Sequence, residues 1–386
     1  MAIIPGASDV PQDSGSVTAD GVTLFLSGDV MLGRGIDQIL PHAGDPRIYE
    51  PHASSATAYV ELAESANGPI PRPVDFSYVW GDALAALEDA RPSVRIVNLE
   101  TSVTRSGRYV PKGINYKMNP DNIACLSVAK PDCCVLANNH ILDWERSGLV
   151  ETLDTLKKAG IRYAGAGRDA AEAEAPAIIE LMASGRVLIF AFGSPTSGIP
   201  RDWAAGENRP GISLLERVSP RSIDRILRRV QATRRRGDLL VASIHWGENW
   251  GYEIARWQRE FAHRLIDEGE FGIVHGHSAH HPKAIELYRQ RLILYGCGDF
   301  LDDYEGIGGY ERFRSDLAVM YLPRLSLLDG RLLELRLIPF QIRKFRLNRS
   351  VKDDAAWLRD TLEGESARLG ARVTLNDDNT LMVAPR

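Results

Sequence analysis

Five short polar clusters in this 386-residue chain carry side chains of the kind that bind metal. They are Ser27-Gly28-Asp29, Asn98-Leu99-Glu100-Thr101, Asn138-Asn139-His140, His245-Trp246-Gly247 and Gly276-His277, the last followed by His280 and His281. Carboxylate, amide oxygen and neutral imidazole together suit divalent ions such as Mn, Fe or Zn. Two such ions sharing one carboxylate would lower the pKa of bound water and clamp the oxygens of a phosphoryl group. Four of the nine histidines (His275, His277, His280 and His281) fall within seven residues, a density that points to ligation more than to a solvated surface.

Each cluster closes a short apolar run. The runs are VTLFLS (22–27), VRIVN (94–98), CCVLA (133–137), LLVASIHW (239–246) and FGIVHG (271–276), joined by RVLIFAF (186–192) and RLILYGCG (291–298). Continuous apolar runs of this length predict strands buried on both faces. Between them, residues 78–90, 145–159, 220–236 and 254–267 repeat apolar side chains at helical spacing. Ser219 reads as the N-cap of the third helix, with Pro220 at its first position. Strand and helix alternate to about residue 310, which argues α/β with crossover connections. Ligands gather at the carboxyl ends of strands in such sheets, so all five clusters should meet on one rim.

Elsewhere the pattern changes. Residues 1–20 read as a loose tail, and 32–75 as a long Pro-, Ala- and Gly-rich loop, a lid by expectation. Residues 316–345 alternate as further strands. Residues 347–386 read as an amphipathic helix (353–370) and a short strand packed on the main unit, 21–346.

The ordered set GDVMLGR (28–34), NLETSVT (98–104), ANNHILD (137–143), HWGENW (245–250), GHSAHHP (276–282) and YGCGDF (295–300) resembles the CapA family. That family is associated with poly-γ-glutamate capsule biosynthesis and belongs to the calcineurin-like metallophosphatase superfamily. The resemblance implies a four-layer α-β-β-α sandwich with a dinuclear divalent-metal site between its sheets. It implies Asp29, Glu100, Asn139, His245, His277 and His280 as ligands, with Glu100 in the bridging position. It also implies His140 as the acid that protonates a leaving group. The chain departs from the family in three places. Val30-Met31 stand where the superfamily has a histidine after the first aspartate. Glu100 is a methylene longer than the usual aspartate. Ser278-Ala279 and Asp299 replace familiar residues of the last motifs, and Asp299 is a candidate to make good the missing histidine.

Further residues have weaker claims. Arg34 could hold a substrate anion through two parallel hydrogen bonds, and Lys112 and Asn115 could line the cleft. Trp246, Trp250 and Tyr252 could form an apolar wall. His281 is a reserve ligand. His275 is read as structural, pointing away from its neighbours' face, and His42, His52 and His263 as ordinary packing or solvent histidines.

Composition bounds the function. Hydrophobic residues make up 44% and charged residues 25%, as in globular proteins, and the net charge is −5. No basic excess exists to hold nucleic acid, so a nuclease is disfavoured. No apolar run reaches membrane-spanning length and no leader is evident. The four cysteines form no CxxC pair and read as buried thiols of a reducing compartment, so the expected location is cytoplasmic. The leading expectation is a metal-dependent hydrolase acting on a phosphoester or a γ-glutamyl or amide bond. The alternative is a non-catalytic binding or assembly partner of a polymer synthase.

Overall fold

The computed structural model describes residues 21–181, 185–215 and 220–386. The expected tail at 1–20 and the Ser219 cap lie outside these residues. Sixteen strands build two large sheets. The first contains β1 (Gly21–Val30), β2 (Val94–Leu99), β3 (Cys133–Val135) and β4 (Arg162–Ala164). The second contains β5 (Ala177–Glu180), β6 (Arg186–Gly193), β7 (Leu239–His245), β8 (Ile273–His277), β9 (Ile285–Tyr288) and β10 (Arg291–Leu294). The chain then returns to the first sheet with β11 (Asp299–Leu301), β12 (Leu317–Ser326), β13 (Leu332–Arg343), β14 (Arg346–Arg349), β15 (Ala371–Leu375) and β16 (Leu381–Pro385). The first sheet runs β15-β16-β13-β12-β1-β2-β3-β4, with β11 beside β1 and β14 beside β13. The second runs β5-β6-β7-β8-β10-β9.

The two sheets face one another, and period-two alternation decides what each side chain meets. Val22, Leu24 and Leu26 of β1 pack between the sheets with Val187, Ile189 and Val241. Phe25 of β1 points the other way, into a second core with Val97, Leu99 and the helices α1 (Gly35–Ile39), α2 (Thr57–Asn67), α3 (Asp82–Ala90) and α4 (Glu145–Lys158). Leu188, Phe190, Leu240 and Ala242 form a third core against α5 (Pro220–Thr233) and α6 (Arg256–Gly269). Three apolar layers between four structural layers give the α-β-β-α sandwich.

The segment 32–75 differs from the expected loop. It holds α1, a two-stranded hairpin (Arg47–Glu50 with Ala53–Ser55) and the eleven-residue α2. Tyr59, Val60 and Ala63 bury one face of α2, so the segment is a packed layer of the fold. The C-terminal strand is in fact a hairpin, β15 with β16, paired onto β13 as the edge of the first sheet. Helix α7 (Lys352–Ser366) precedes it.

Candidate metal centre

The strand ends do converge. Asp29 lies opposite Asn98 on β2 and opposite Asp299 on β11. In the second sheet His245 lies opposite His277. Glycine permits the closest of these approaches. A Cβ on Gly28 would stand 1.7 Å from the carbonyl oxygen of Gly298, whereas the glycine lets Asp29 N–H donate to that oxygen at 3.0 Å.

Two groups of donors form around a shared Asp29: one with His245 and His277, the other with His280 and Asp299. Within each, the ligand atoms all lie within 4.8 Å of one another. Glu100 Oε1 stands 3.8 Å from both His140 Nε2 and His245 Nε2. Asn139 Oδ1 meets His245 Nε2 at 2.8 Å. The six expected ligands are therefore in one place, with Asp29 as the residue common to both groups. Asn98 ties the two carboxylates together, its amide donating to Asp29 Oδ1 at 2.7 Å and Glu100 Oε2 at 3.3 Å.

Hydrogen bonding fixes which imidazole nitrogens are bare. His275 Nε2–H donates to Ser27 O at 2.8 Å, so its Nδ1 accepts from Ser243 Oγ at 3.1 Å. Ser243 has one proton, so it accepts from His277 Nε2–H at 2.9 Å. His277 Nδ1 is thereby left as a lone pair, 2.8 Å from His245 Nδ1. With Asn139 turned oxygen-first, a neutral His245 can protonate only one of its two contacts. Two lone pairs then face each other at the remaining contact, which a bound cation resolves. His275 supports this chain from the same face as His277, contrary to the expectation that it points away.

The charges agree with a cation site. Burial, reinforced by Asp299, pushes the Asp29 carboxyl upward. Burial and then Asp29 push Glu100 upward, and burial raises Asp299. Asp29 Oδ2 and Asp299 Oδ2 are buried without hydrogen-bond partners. Buried carboxylates of this kind must protonate, pair or coordinate. Burial pushes His245 and His277 well below the ordinary imidazole value, keeping them neutral as ligands must be. The donor set and its orphaned oxygens fit divalent ions.

His140 lies beside the groups. Its Nδ1 donates to Asp143 Oδ2 at 2.7 Å, leaving Nε2 directed toward Glu100. Burial holds His140 down at about 4, so Nε2 is an acceptor at neutral pH. Lys112 Nζ sits 2.8 Å from Asp143 Oδ1 and also donates to Asn139 O, at the edge of the centre. Asn115 is structural, its amide tying Val110 O and Asp143 O.

Three expectations need correction. The guanidinium of Arg34, expected to hold a substrate anion, is taken up by partners within the chain. Its Nε and Nη2 bind Asp303, Nη1 binds Glu50 at 3.0 Å, and Tyr59 and Tyr116 cover its faces. His281 is not free to ligate, because Nδ1 is bonded to Pro282 O and Nε2 accepts from Gly251 N–H, each at 3.1 Å. Trp246 is no wall of the cleft. It is buried in the third core against Phe261 and Tyr295, while Trp250 and Tyr252 pack beside His280 and His281. Sequence reasoning missed Ser243 and Asn98 as the residues that orient the donors. Their signal was period two: Ser243 is two residues before His245, and Asn98 two before Glu100.

Layers and donors together define an α/β sandwich protein with a metal-competent centre where the two sheets meet. The chain belongs to the bacterial capsule synthesis protein family PGA_cap, which matches residues 23–304. It is 47% identical over 368 residues to a probable polyglutamine synthesis accessory protein of Mycobacterium tuberculosis, covering 95% of this chain and 97% of that one. The PGA biosynthesis protein CapA of Bacillus subtilis is 26% identical over 304 residues, covering 78% of this chain and 68% of that one. A solved structure of a novel phosphatase from Mycoplasma pneumoniae aligns with a TM-score of 0.47 and 11% identity, over 83% of this chain and 94% of that one. No helix among the described residues is long and apolar enough to cross a membrane.

Proposed function

We propose that this chain is a hydrolase that works with two divalent ions on a phosphoester or a γ-glutamyl or amide bond in polyglutamate metabolism. The observation that carries the reading is the sharing of Asp29, with its orphaned Oδ2, between two donor groups. His245 and His277 would hold one ion and His280 and Asp299 the other, with Asp29 common to both and Asn139 and Glu100 adjacent. The ions supply Lewis acidity toward the scissile group and toward water. His140 accepts a proton from the attacking water at Nε2 and returns it to the leaving group. Asp143 keeps the imidazole oriented through Nδ1 and stabilises its charged form while the proton is held there. Lys112 sets a positive charge at the same edge, where a developing anion gains from it.

Metal content per chain, followed by a phosphoester and γ-glutamyl amide screen with that metal, tests the reading. Turnover that vanishes in Asp29→Asn and in His140→Ala, with the fold retained by circular dichroism, is the expected result. No metal after soaking in Mn, Fe and Zn sinks it.

A second reading has its own support. His140 and His280 are only 6% and 7% exposed, so the centre is nearly closed. The mycobacterial relative is named an accessory protein. An assembly partner of a polymer synthase would show metal-dependent binding to that synthase with no turnover.

A further inference from the structure

Lys283 is a buried cation outside the metal centre. The residue is 6% exposed, and its stem lies over Gly296, where a Cβ would meet Lys283 Cγ and Cδ at 3.0 Å. Its ammonium has three N–H groups, and one donates to Glu253 O at 2.8 Å. Among the described residues it makes no ion pair; Glu248, Glu253 and Glu365 act on it only at longer range. Burial pushes the ammonium's pKa down and these distant glutamates only partly offset it, so an anion in direct contact would stabilise the charged form.

That place is a cavity of about 530 Å³ lined by Lys283, Thr196, Trp250, Tyr252, Trp257 and Gln258. It adjoins the metal centre. The Trp250 ring lies 5.4 Å from the His280 ring, and Gly247 N–H, two residues past His245, donates to Thr196 Oγ1 at 3.0 Å. Three aromatic rings offer apolar surface for an aliphatic stem, and the ammonium, the Gln258 amide and the Thr196 hydroxyl offer polar contacts. Glu248 and Glu253 also stand on this wall. They repel the concentrated charge of a phosphate more than the single charge of one carboxylate group at the end of a stem, which favours carboxylate over phosphate.

We propose that this cavity seats a free carboxylate of the substrate, on an aliphatic stem, with Lys283 as its counter-ion. This deepens the hydrolase reading and rests on it, selecting an acyl substrate with a second acid group.

The test is calorimetric titration of the full chain with glutarate and, separately, with inorganic phosphate, for wild type, Lys283→Met and Lys283→Arg. Glutarate should bind wild type at least about tenfold more tightly than Lys283→Met, the loss expected for a charge-assisted hydrogen bond. Lys283→Arg should retain part of the affinity. Lys283→Met should melt at or above wild type, since it removes an unpaired buried charge. Equal affinity in wild type and Lys283→Met, or no saturable glutarate binding, overturns the proposal. Tighter binding of phosphate with the same Lys283 dependence overturns the carboxylate assignment. A second measurement needs no variant: saturating glutarate should slow reductive methylation of Lys283 relative to the other lysines, and unslowed modification counts against the site. Binding is read without turnover. A chain that binds glutarate through Lys283 and hydrolyses nothing refutes the hydrolase reading alone, and turnover without Lys283-dependent binding refutes this subsite alone.

Discussion

Asp29 and Asp299 are register partners on parallel strands, and each keeps one buried oxygen without a hydrogen-bond partner. Two carboxylates so placed cannot both ionise without cost until a cation lies between them. Asp299→Asn should therefore stabilise the metal-free chain by about 1–2 kcal/mol, the scale of one pKa unit or slightly more. Ion-induced stabilisation should shrink in the same variant, because a donor is gone and stabilisation follows affinity. Thermal melts with chelator and with saturating Mn or Zn should cross: the variant above wild type without metal, below it with metal. Parallel shifts in both conditions would refute the shared-ion arrangement.

Ser243 carries no charge, yet it decides which nitrogen of His277 is bare. Ser243→Ala removes that constraint while leaving every ligand in place. Metal affinity should fall about 10–100-fold, as is usual when an orienting partner of a ligand histidine is lost. Competition against a chelating dye measures this. Unchanged affinity would mean that the Ser27–His275–Ser243–His277 chain does not set the tautomer.

Arg34 joins Asp303 and Glu50 across parts of the chain 269 and 16 residues away. Arg34→Ala leaves two buried carboxylates uncompensated and should cost about 3–5 kcal/mol of stability. Adding Glu50→Gln and Asp303→Asn should recover much of that loss. A raised KM with unaltered melting would instead restore Arg34 as a substrate-binding residue.

Metal binding should release protons. Burial and neighbouring acids raise Asp29 to about 7, and Glu100 and Asp299 are raised as well, so the metal-free centre holds protons near neutrality. An incoming ion competes with them, and apparent affinity rises as pH climbs through about 7. His140 and His275, held at about 4, are already neutral there and release none. Titration calorimetry at about pH 7 in buffers of differing ionisation enthalpy should report at least about one proton released per ion. Affinity that is flat with pH would mean the carboxylates ionise freely without metal.

Much of this architecture could be read from the chain because period two and strand-end position are local signals. Runs such as VRIVN and LLVASIHW declared strands, and the polar residues closing them declared the rim. The layer formed by 32–75 was illegible for a physical reason: α2 is short and Ala-rich, and only Tyr59, Val60 and Ala63 are buried on it. Its helical period hardly differs from a small-residue loop. Arg34 was misjudged because its partners Glu50 and Asp303 are distant in sequence, and no local pattern announces them. His281 resembled a ligand by spacing alone; what excludes it is Gly251 N–H, supplied by another loop. His275 shows the converse, since two residues always return to the same face of a strand.

β1, the first described strand, lies in the middle of its sheet, between β2 and β12, and β12 ends only at Ser326. During synthesis β1 can pair on one side early, but its other neighbours, β11 and β12, are still unmade while the whole second sheet emerges. Closure of such distant contacts is slow and comes late. Asp29 is synthesised before, and Asp299 after, every strand of the second sheet, so the nascent chain can bring these two carboxylates together only once that sheet has been made.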